Sequence, residues 1–126
     1  MRTAIFWLTT GLFSLAMVAS GFGAVSGGMA EVYADMGYPV YFATLLGTWK
    51  LLGALALVTP GFPKVTEWAY AGFAFTLTGA SFSHLAGGDG LAAALPPLVM
   101  LAVASASYFL RTAPEFEAAA QLTPAP

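Results

Sequence analysis

The sequence predicts an all-α protein, a bundle of four transmembrane helices with a short amphipathic helix in the first outer loop. The 126-residue chain is 59% hydrophobic and only 8% charged, against roughly 25% charged residues in ordinary soluble domains. Its apolar residues form four long runs, and nearly all charges lie between these runs or near the two ends. Six acidic and four basic residues are too few to cover a soluble fold of this size.

The first predicted span covers residues 4–26, because no charged residue occurs between Thr3 and Ala30. A membrane-crossing helix needs about 20 apolar residues. Arg2 before an apolar run also fits a cleaved signal peptide, which is the alternative interpretation. The run is longer than the about 7–15 residues of a signal-peptide core, so we expect a retained span.

A short amphipathic helix is expected next. Its apolar residues recur at i, i+3, i+4 and i+7, as on one face of a helix: Met29, Val32, Tyr33 and Met36. Glu31 and Asp35 lie on another face. We expect a lid that shields the outer mouth of the bundle, with a substrate gate as the alternative.

Three further spans follow, at residues 40–58, 67–86 and 91–110. Pro39 stands where proline can start the second span, and Lys50 is the only charge inside that span. Residues 112–126 contain Ala, Pro and Glu, which predicts a disordered cytoplasmic tail. Residues 1–111 then form a single membrane domain.

The charges that flank the spans predict the orientation. If four spans alternate, three basic residues share one side: Arg2, Lys64 and Arg111. Three acidic residues share the other side: Glu31, Asp35 and Asp89. The positive-inside rule then places both termini in the cytoplasm. Three aromatic residues near the cytoplasmic ends fit an interfacial belt: Trp7, Trp68 and Tyr70.

Small residues on one face of each span predict close helix packing. On the second span this stripe includes Gly47 and Gly53, beside Lys50. On the third span it consists of Gly72, Thr76, Gly79, Ala80, Ser83 and His84. Lys50 and His84 are therefore expected to face the interior rather than lipid.

Lys50 and His84 are the candidate ligand-binding residues. A lysine at the bilayer centre costs about 2.5–3.5 kcal/mol, and Lys50 lies about 15 Å and about 12 Å from the ends of its span. Side chains tilt toward a helix's N-terminus, so the two residues lean toward each other from antiparallel helices. The structural alternatives are a lysine bonded to helix carbonyls and an interfacial histidine hydrogen-bonded near a helix end.

Four residues are expected to support this site: Trp49, Thr76, Ser83 and Glu67. Glu67 opens the third span, where a carboxylate favours the positive helix end, and a pair with Lys64 is expected there. No catalytic residue is identified. The chain has no cysteine and one histidine, so no metal site is predicted. Any redox cofactor is expected to be shared with a partner or to be a diffusible quinone, and a net charge of −2 gives no reason to expect nucleic acid.

Four stretches of the chain resemble the DoxX-like family of small bacterial membrane proteins. They are residues 37–54, 60–64, 67–72 and 79–85, the last with Gly88 and Asp89 just beyond it. The resemblance implies a four-helix bundle in the bacterial inner membrane. The broader DoxX family includes a subunit of thiosulfate:quinone oxidoreductase and a member linked to a membrane oxidoreductase complex, whereas most DoxX-like members have no established activity.

Three functions are compatible with these features. The first is a membrane subunit or quinone-contacting helper of an oxidoreductase system, in which Lys50 and His84 bond quinone oxygens. The second is a small permease or channel subunit that binds an anionic substrate at Lys50, which would require a homo-oligomer. The third is a structural membrane protein without a ligand. In all three functions the chain interacts with the lipid bilayer. In none of these functions is the chain an enzyme on its own.

Overall fold

The described part of the protein is built from helices alone. The structure, a computed structural model, describes the backbone of residues 1–59 and 61–122 and the side chains of these residues up to Thr112. Five helices follow one another: α1 (Arg2–Val25), α2 (Ala30–Asp35), α3 (Val40–Val58), α4 (Pro63–Ala86) and α5 (Leu91–Leu122). The all-α prediction is confirmed. The short helix α2 lies inside the segment where the sequence predicts an amphipathic helix.

The helix bounds differ from the predicted spans by more than two residues at two places. α4 begins at Pro63 instead of Glu67, because proline is suited to the first helical position, where its missing N–H would have no partner anyway. α5 continues to Leu122, whereas the sequence predicts a disordered tail from residue 112. Ala and Glu in this segment are strong helix formers. The rest of the predicted tail, residues 123–126, lies outside the described residues.

The four long helices pack around a shared core. α1 lies against α3 and α5, and α4 lies against α5 and α3. At the centre, Phe13 of α1 meets Phe73 of α4 edge to face, with ring centroids 5.0 Å apart. Both rings are buried. Aromatic pairs in this geometry stabilise a core beyond the area that they bury.

The closest helix crossing joins α1 to α3 through two glycines. A Cβ atom added at Gly47 would lie 2.7 Å from the carbonyl oxygen of Gly21, and one added at Gly21 would lie 2.9 Å from the carbonyl oxygen of Gly47. The two backbones therefore touch, as small residues allow in membrane helices. This contact is the close packing that the small-residue stripe of the second span predicts.

The stripe on α4 does not pack in this way. A Cβ atom at Gly72 or Gly79 would meet no atom within 4 Å, so the prediction of close packing at these two glycines is wrong. Larger side chains fill the space between α4 and its neighbours instead: Thr66, Tyr70, Phe73, Leu77 and Ser81. Tyr70 is thus a core residue and not part of an interfacial belt.

The outer surface of the helices is strongly apolar. In the described part of the chain, three helical segments are long and apolar enough to cross a membrane: Arg2–Val25, Val40–Val58 and Leu91–Thr112. α4 is long enough but more polar. Its outer face nevertheless carries large aromatic side chains at seven-residue intervals, Trp68, Phe75 and Phe82, which are between 72% and 77% exposed.

Candidate functional site

A cavity of about 640 Å³ lies between the four long helices and α2. Its walls are mostly apolar, and four of the five methionines of the chain line it: Met17, Met29, Met36 and Met100. Methionine is flexible and polarizable, so a methionine-rich wall adapts to the shape of an apolar ligand. Lys50 and His84 both line this cavity.

Lys50 lies at the inner end of the cavity. Its Nζ donates a hydrogen bond of 2.9 Å to Ser20 Oγ on α1, across the Gly21–Gly47 crossing that brings the two helices together. Among the residues whose side chains are described, no carboxylate lies within ion-pair distance of Lys50. An ammonium group has three donors, and Ser20 accepts one of them. The others are available to a ligand.

His84 lies in the last turn of α4, at the other end of the cavity. Its Nδ1 is 2.8 Å from Asp89 Oδ2, in the connection between α4 and α5. The neighbouring Ser83 shares a hydrogen bond of 2.5 Å with the hydroxyl of Tyr38, in the connection between α2 and α3. These two contacts fix the polar rim of the cavity.

An aromatic cluster fixes α2 over this end of the cavity. Tyr33 of α2 is buried, and its ring centroid lies 6.2 Å from that of Tyr38 and 6.0 Å from that of Phe42. Tyr38 stacks on Phe42 at 4.6 Å. Burial, and secondarily the nearby Tyr38, raises the pKa of Tyr33, so its phenol stays neutral at ordinary pH. α2 is therefore a cover held by ring contacts.

Lys50 and His84 occupy different depths. A Cβ atom at Gly53 of α3 would touch the ring of Phe73 on α4, so in these antiparallel helices Lys50 is level with about Thr76. His84 is eight residues further along α4, which is about 12 Å of helix rise. The two residues share a cavity, but each bonds its own partner. A common role would need a ligand that spans the space between them.

A second depression of about 360 Å³ lies between α3 and α4. Trp49 and Trp68 flank it and are 63% and 74% exposed. Leu46, Lys50 and Thr76 line both this groove and the cavity. Lys50 and Thr76 thus stand at the junction between the interior and the outer surface. We call this depression the α3–α4 groove.

The four supporting residues predicted from the sequence fall in different places. Thr76 and Ser83 line the cavity, and Trp49 lines the α3–α4 groove. Glu67 belongs to neither. Its Oε1 lies 3.5 Å from Nη1 of Arg111, so Arg111 and not Lys64 is its partner. The two residues come together because α4 begins beside the end of the apolar segment Leu91–Thr112 of α5.

Sequence inspection missed two sets of polar residues. The sequence does not distinguish Ser20, the partner of Lys50, from the other small residues of the first span. A buried network joins three helices: Ser107 Oγ of α5 lies 2.6 Å from Thr10 Oγ1 of α1 and 2.7 Å from the hydroxyl of Tyr70 on α4. These residues could have been identified as polar residues inside apolar spans, since polar groups in lipid need hydrogen-bond partners on other helices.

The comparison with known proteins identifies the family. The DoxX-like family matches residues 8–107, which covers most of the chain from within α1 to within α5. No curated protein and no solved structure matches the chain. The apolar helices and the family together make this a multi-pass membrane protein. The chain belongs to the DoxX-like family.

Proposed function

We propose that this DoxX-like protein is a four-span membrane protein that binds a quinone in the cavity between its helices. In this role it is the quinone-contacting subunit or helper of an oxidoreductase system. One observation carries the proposal: an apolar, methionine-rich cavity of about 640 Å³ has Lys50 at one end and His84 at the other.

The chemistry of the cavity suits a quinone. A quinone has a flat apolar ring with hydrogen-bond-accepting oxygens on opposite edges. Small-molecule sites are mostly apolar, with a few polar groups that fix the ligand's orientation. Lys50 and Thr76 supply donors at the inner end. At the rim, Nδ1 of His84 is held by Asp89, and when both ring nitrogens carry a proton the Nε2–H can donate to a ligand oxygen.

The surface of α4 supports its role as a membrane span, the third along the chain. Its exposed face carries Trp68, Phe75 and Phe82, while several of its polar residues face the core or the cavity, as Ser81 does by donating to the Ala94 carbonyl oxygen. The higher polarity of α4 therefore reflects its interior face. A polar residue inside a span is tolerated when it faces other helices.

If all four long helices cross the bilayer, the basic residues at their ends define the orientation of the protein in the membrane. The Glu67–Arg111 contact supports a common side for Lys64 and Arg111, and Thr10 meeting Ser107 supports the same side for the start of α1. Basic residues favour the cytoplasmic side. We place both termini in the cytoplasm and the protein in the bacterial inner membrane.

The redox centre would belong to a partner. The chain has no cysteine and a single histidine, whereas iron–sulfur clusters need several thiolates. The part of this protein would be to hold the quinone near a soluble or membrane-bound oxidoreductase. Lys50, Thr76 and His84 would orient the ring, and the methionine walls would exclude water from it.

A second function is favoured by the isolation of Lys50. Within the described side chains its protein partner is the neutral Ser20 hydroxyl, so a mid-span cation could bind an anionic substrate. Intramembrane charges commonly mark substrate pathways. In that case the protein would be a permease or channel subunit and would function as a homo-oligomer.

Extraction of the purified protein tests the proposal. Protein isolated from bacterial membranes is extracted with organic solvent, and its quinone-to-phospholipid ratio is measured by mass spectrometry against that of the whole membrane. We expect enrichment in the wild type and in Lys64→Met, and loss of the enrichment in Lys50→Met. Equal ratios in the wild type and the membrane would contradict quinone binding. Anion uptake by liposomes that contain the protein and no quinone would instead favour the permease.

A further inference from the structure

The α3–α4 groove and the cavity adjoin at Lys50. The two spaces share Leu46, Lys50 and Thr76 as walls, so the Lys50 side chain borders both. The cavity lies between the helices, whereas the groove opens on the outer surface between Trp49 and Trp68. Lys50 is therefore reachable from the side of the molecule that faces lipid.

The shape of the groove fits a narrow apolar chain. Along α4 it runs from Val65 to Thr76, which is about 16 Å of helix rise. Its floor is the ring of Phe73, which packs over Gly53 so closely that a Cβ atom at Gly53 would lie 2.7 Å from the ring. Apart from Lys50 and Thr76 at the junction, every side chain that lines the groove is apolar or an indole.

Gly72 keeps the groove open. It lines the groove, and a Cβ atom added there would meet no atom within 4 Å. On either side Ala69 and Thr76 are also small. A large side chain at Gly72 would project into the space that a ligand chain would occupy and would not collide with the packed core.

We propose that the α3–α4 groove is the lateral entrance for the quinone and holds its isoprenoid tail, while the ring reaches the cavity at Lys50. This inference rests on the proposed function. The position of Lys50 at the end of the apolar groove that meets the cavity matches a ligand with an oxygen-bearing head and a hydrocarbon tail. The ligand class is thereby narrowed to tailed, membrane-dissolved quinones that arrive from the bilayer.

Two ligands and three glycine variants test the entrance. The ligands are a benzoquinone that carries two isoprene units and the same ring without a tail, and binding to purified protein in lipid nanodiscs is measured by quenching of tryptophan fluorescence. Gly72→Phe fills the groove. Gly79→Phe projects into the cavity, since Gly79 lines it. Gly11→Phe is the control, because Gly11 is an exposed helical glycine with nothing within 4 Å.

We expect Gly72→Phe to weaken binding of the tailed quinone at least tenfold and to leave binding of the tailless ring within twofold of the wild type. Retained binding of the tailless ring also shows that the variant is folded. Gly79→Phe should weaken both ligands, and Gly11→Phe neither. Unchanged binding of the tailed quinone to Gly72→Phe would overturn the lateral entrance alone. Failure of the wild type to bind either ligand would overturn the proposed function, and the entrance with it.

Discussion

Lys50 is stabilised at mid-span by one helix crossing. Its ammonium group reaches Ser20 Oγ at 2.9 Å because Gly21 and Gly47 let α1 and α3 touch one turn away. A charge at the bilayer centre is unfavourable by about 2.5–3.5 kcal/mol, and a single hydroxyl recovers only part of this. The part of this free energy that Ser20 does not recover supports our proposal that Lys50 binds a ligand.

Ser107 is predicted to stabilise the packing of three helices through two hydrogen bonds. It is fully buried and bonds both Thr10 and Tyr70. Ser107→Ala removes both hydrogen bonds. Since one interhelical hydrogen bond contributes about 0.6 kcal/mol on average and about 1.7 kcal/mol at most, we expect a loss of about 1–3 kcal/mol in unfolding free energy. Reversible unfolding in mixed detergent micelles measures it.

Ser105→Ala is the matched control for that variant. Ser105 lies on the same helix, but its Oγ donates to the Leu101 carbonyl oxygen of its own α5. Its removal should change the unfolding free energy by less than half as much. Equal losses for the two serines would mean that the network through Ser107 does not join the helices in solution.

The charged and titratable residues of the candidate site could be identified from the sequence, but the residues that they hydrogen-bond or pair with could not. Lys50 and His84 stand out because charged or titratable residues are rare in apolar runs. The partner of Lys50 depends on which faces of α1 and α3 meet, and Ser20 looks like any other small residue of α1. Glu67 illustrates the same limit, since proximity in sequence favours Lys64 and the fold brings Arg111.

The candidate site depends on the contact between helices α1 and α3. At Gly47 a methyl group would lie 2.7 Å from the Gly21 carbonyl oxygen and 2.9 Å from Ala24 Cβ. We expect Gly47→Ala to force the helices apart and to lower the unfolding free energy by about 1–3 kcal/mol, as overpacking does. Separation of the helices would also break the Lys50–Ser20 hydrogen bond.

Gly11→Ala is the control for this helix contact. It adds the same methyl group to α1 where nothing lies within 4 Å, and alanine is the better helix former. Its unfolding free energy should be unchanged or slightly higher. If Gly47→Ala were equally well tolerated, α1 and α3 would not be in backbone contact.

The positions of the helices were more predictable than their packing faces. α3 has the bounds of the second predicted span, from Val40 to Val58, because Pro39 and the turn at Gly61 bracket an apolar run. The packing face of α4 could not be predicted, because small residues there mark a groove rather than a contact. Small size permits close approach but does not require it, so Gly47 packs and Gly72 does not.

At the scale of the whole molecule, the topology depends on whether α4 crosses the bilayer. We expect alkaline phosphatase fused after Gly90 to be active, since that enzyme works only in the periplasm, and fusions after Gly61 and Pro126 to be inactive. Cytoplasmic reporters at the same three positions should give the opposite pattern. Equal alkaline phosphatase activities after Gly61 and Gly90 would mean that α4 lies along the membrane surface.

The central proposal is that Lys50 binds a quinone ring. The most direct test compares the quinone affinities of the wild type and of two lysine variants. A benzoquinone with two isoprene units is titrated into wild type, Lys50→Met and Lys64→Met in lipid nanodiscs. Loss of a hydrogen bond from a charged donor removes about 1.5–3 kcal/mol, and each 1.4 kcal/mol is about tenfold in affinity. We predict that Lys50→Met inserts and folds as well as the wild type but binds the quinone roughly tenfold to a hundredfold more weakly, whereas Lys64→Met binds it normally. Equal affinities for the wild type and Lys50→Met would contradict the account.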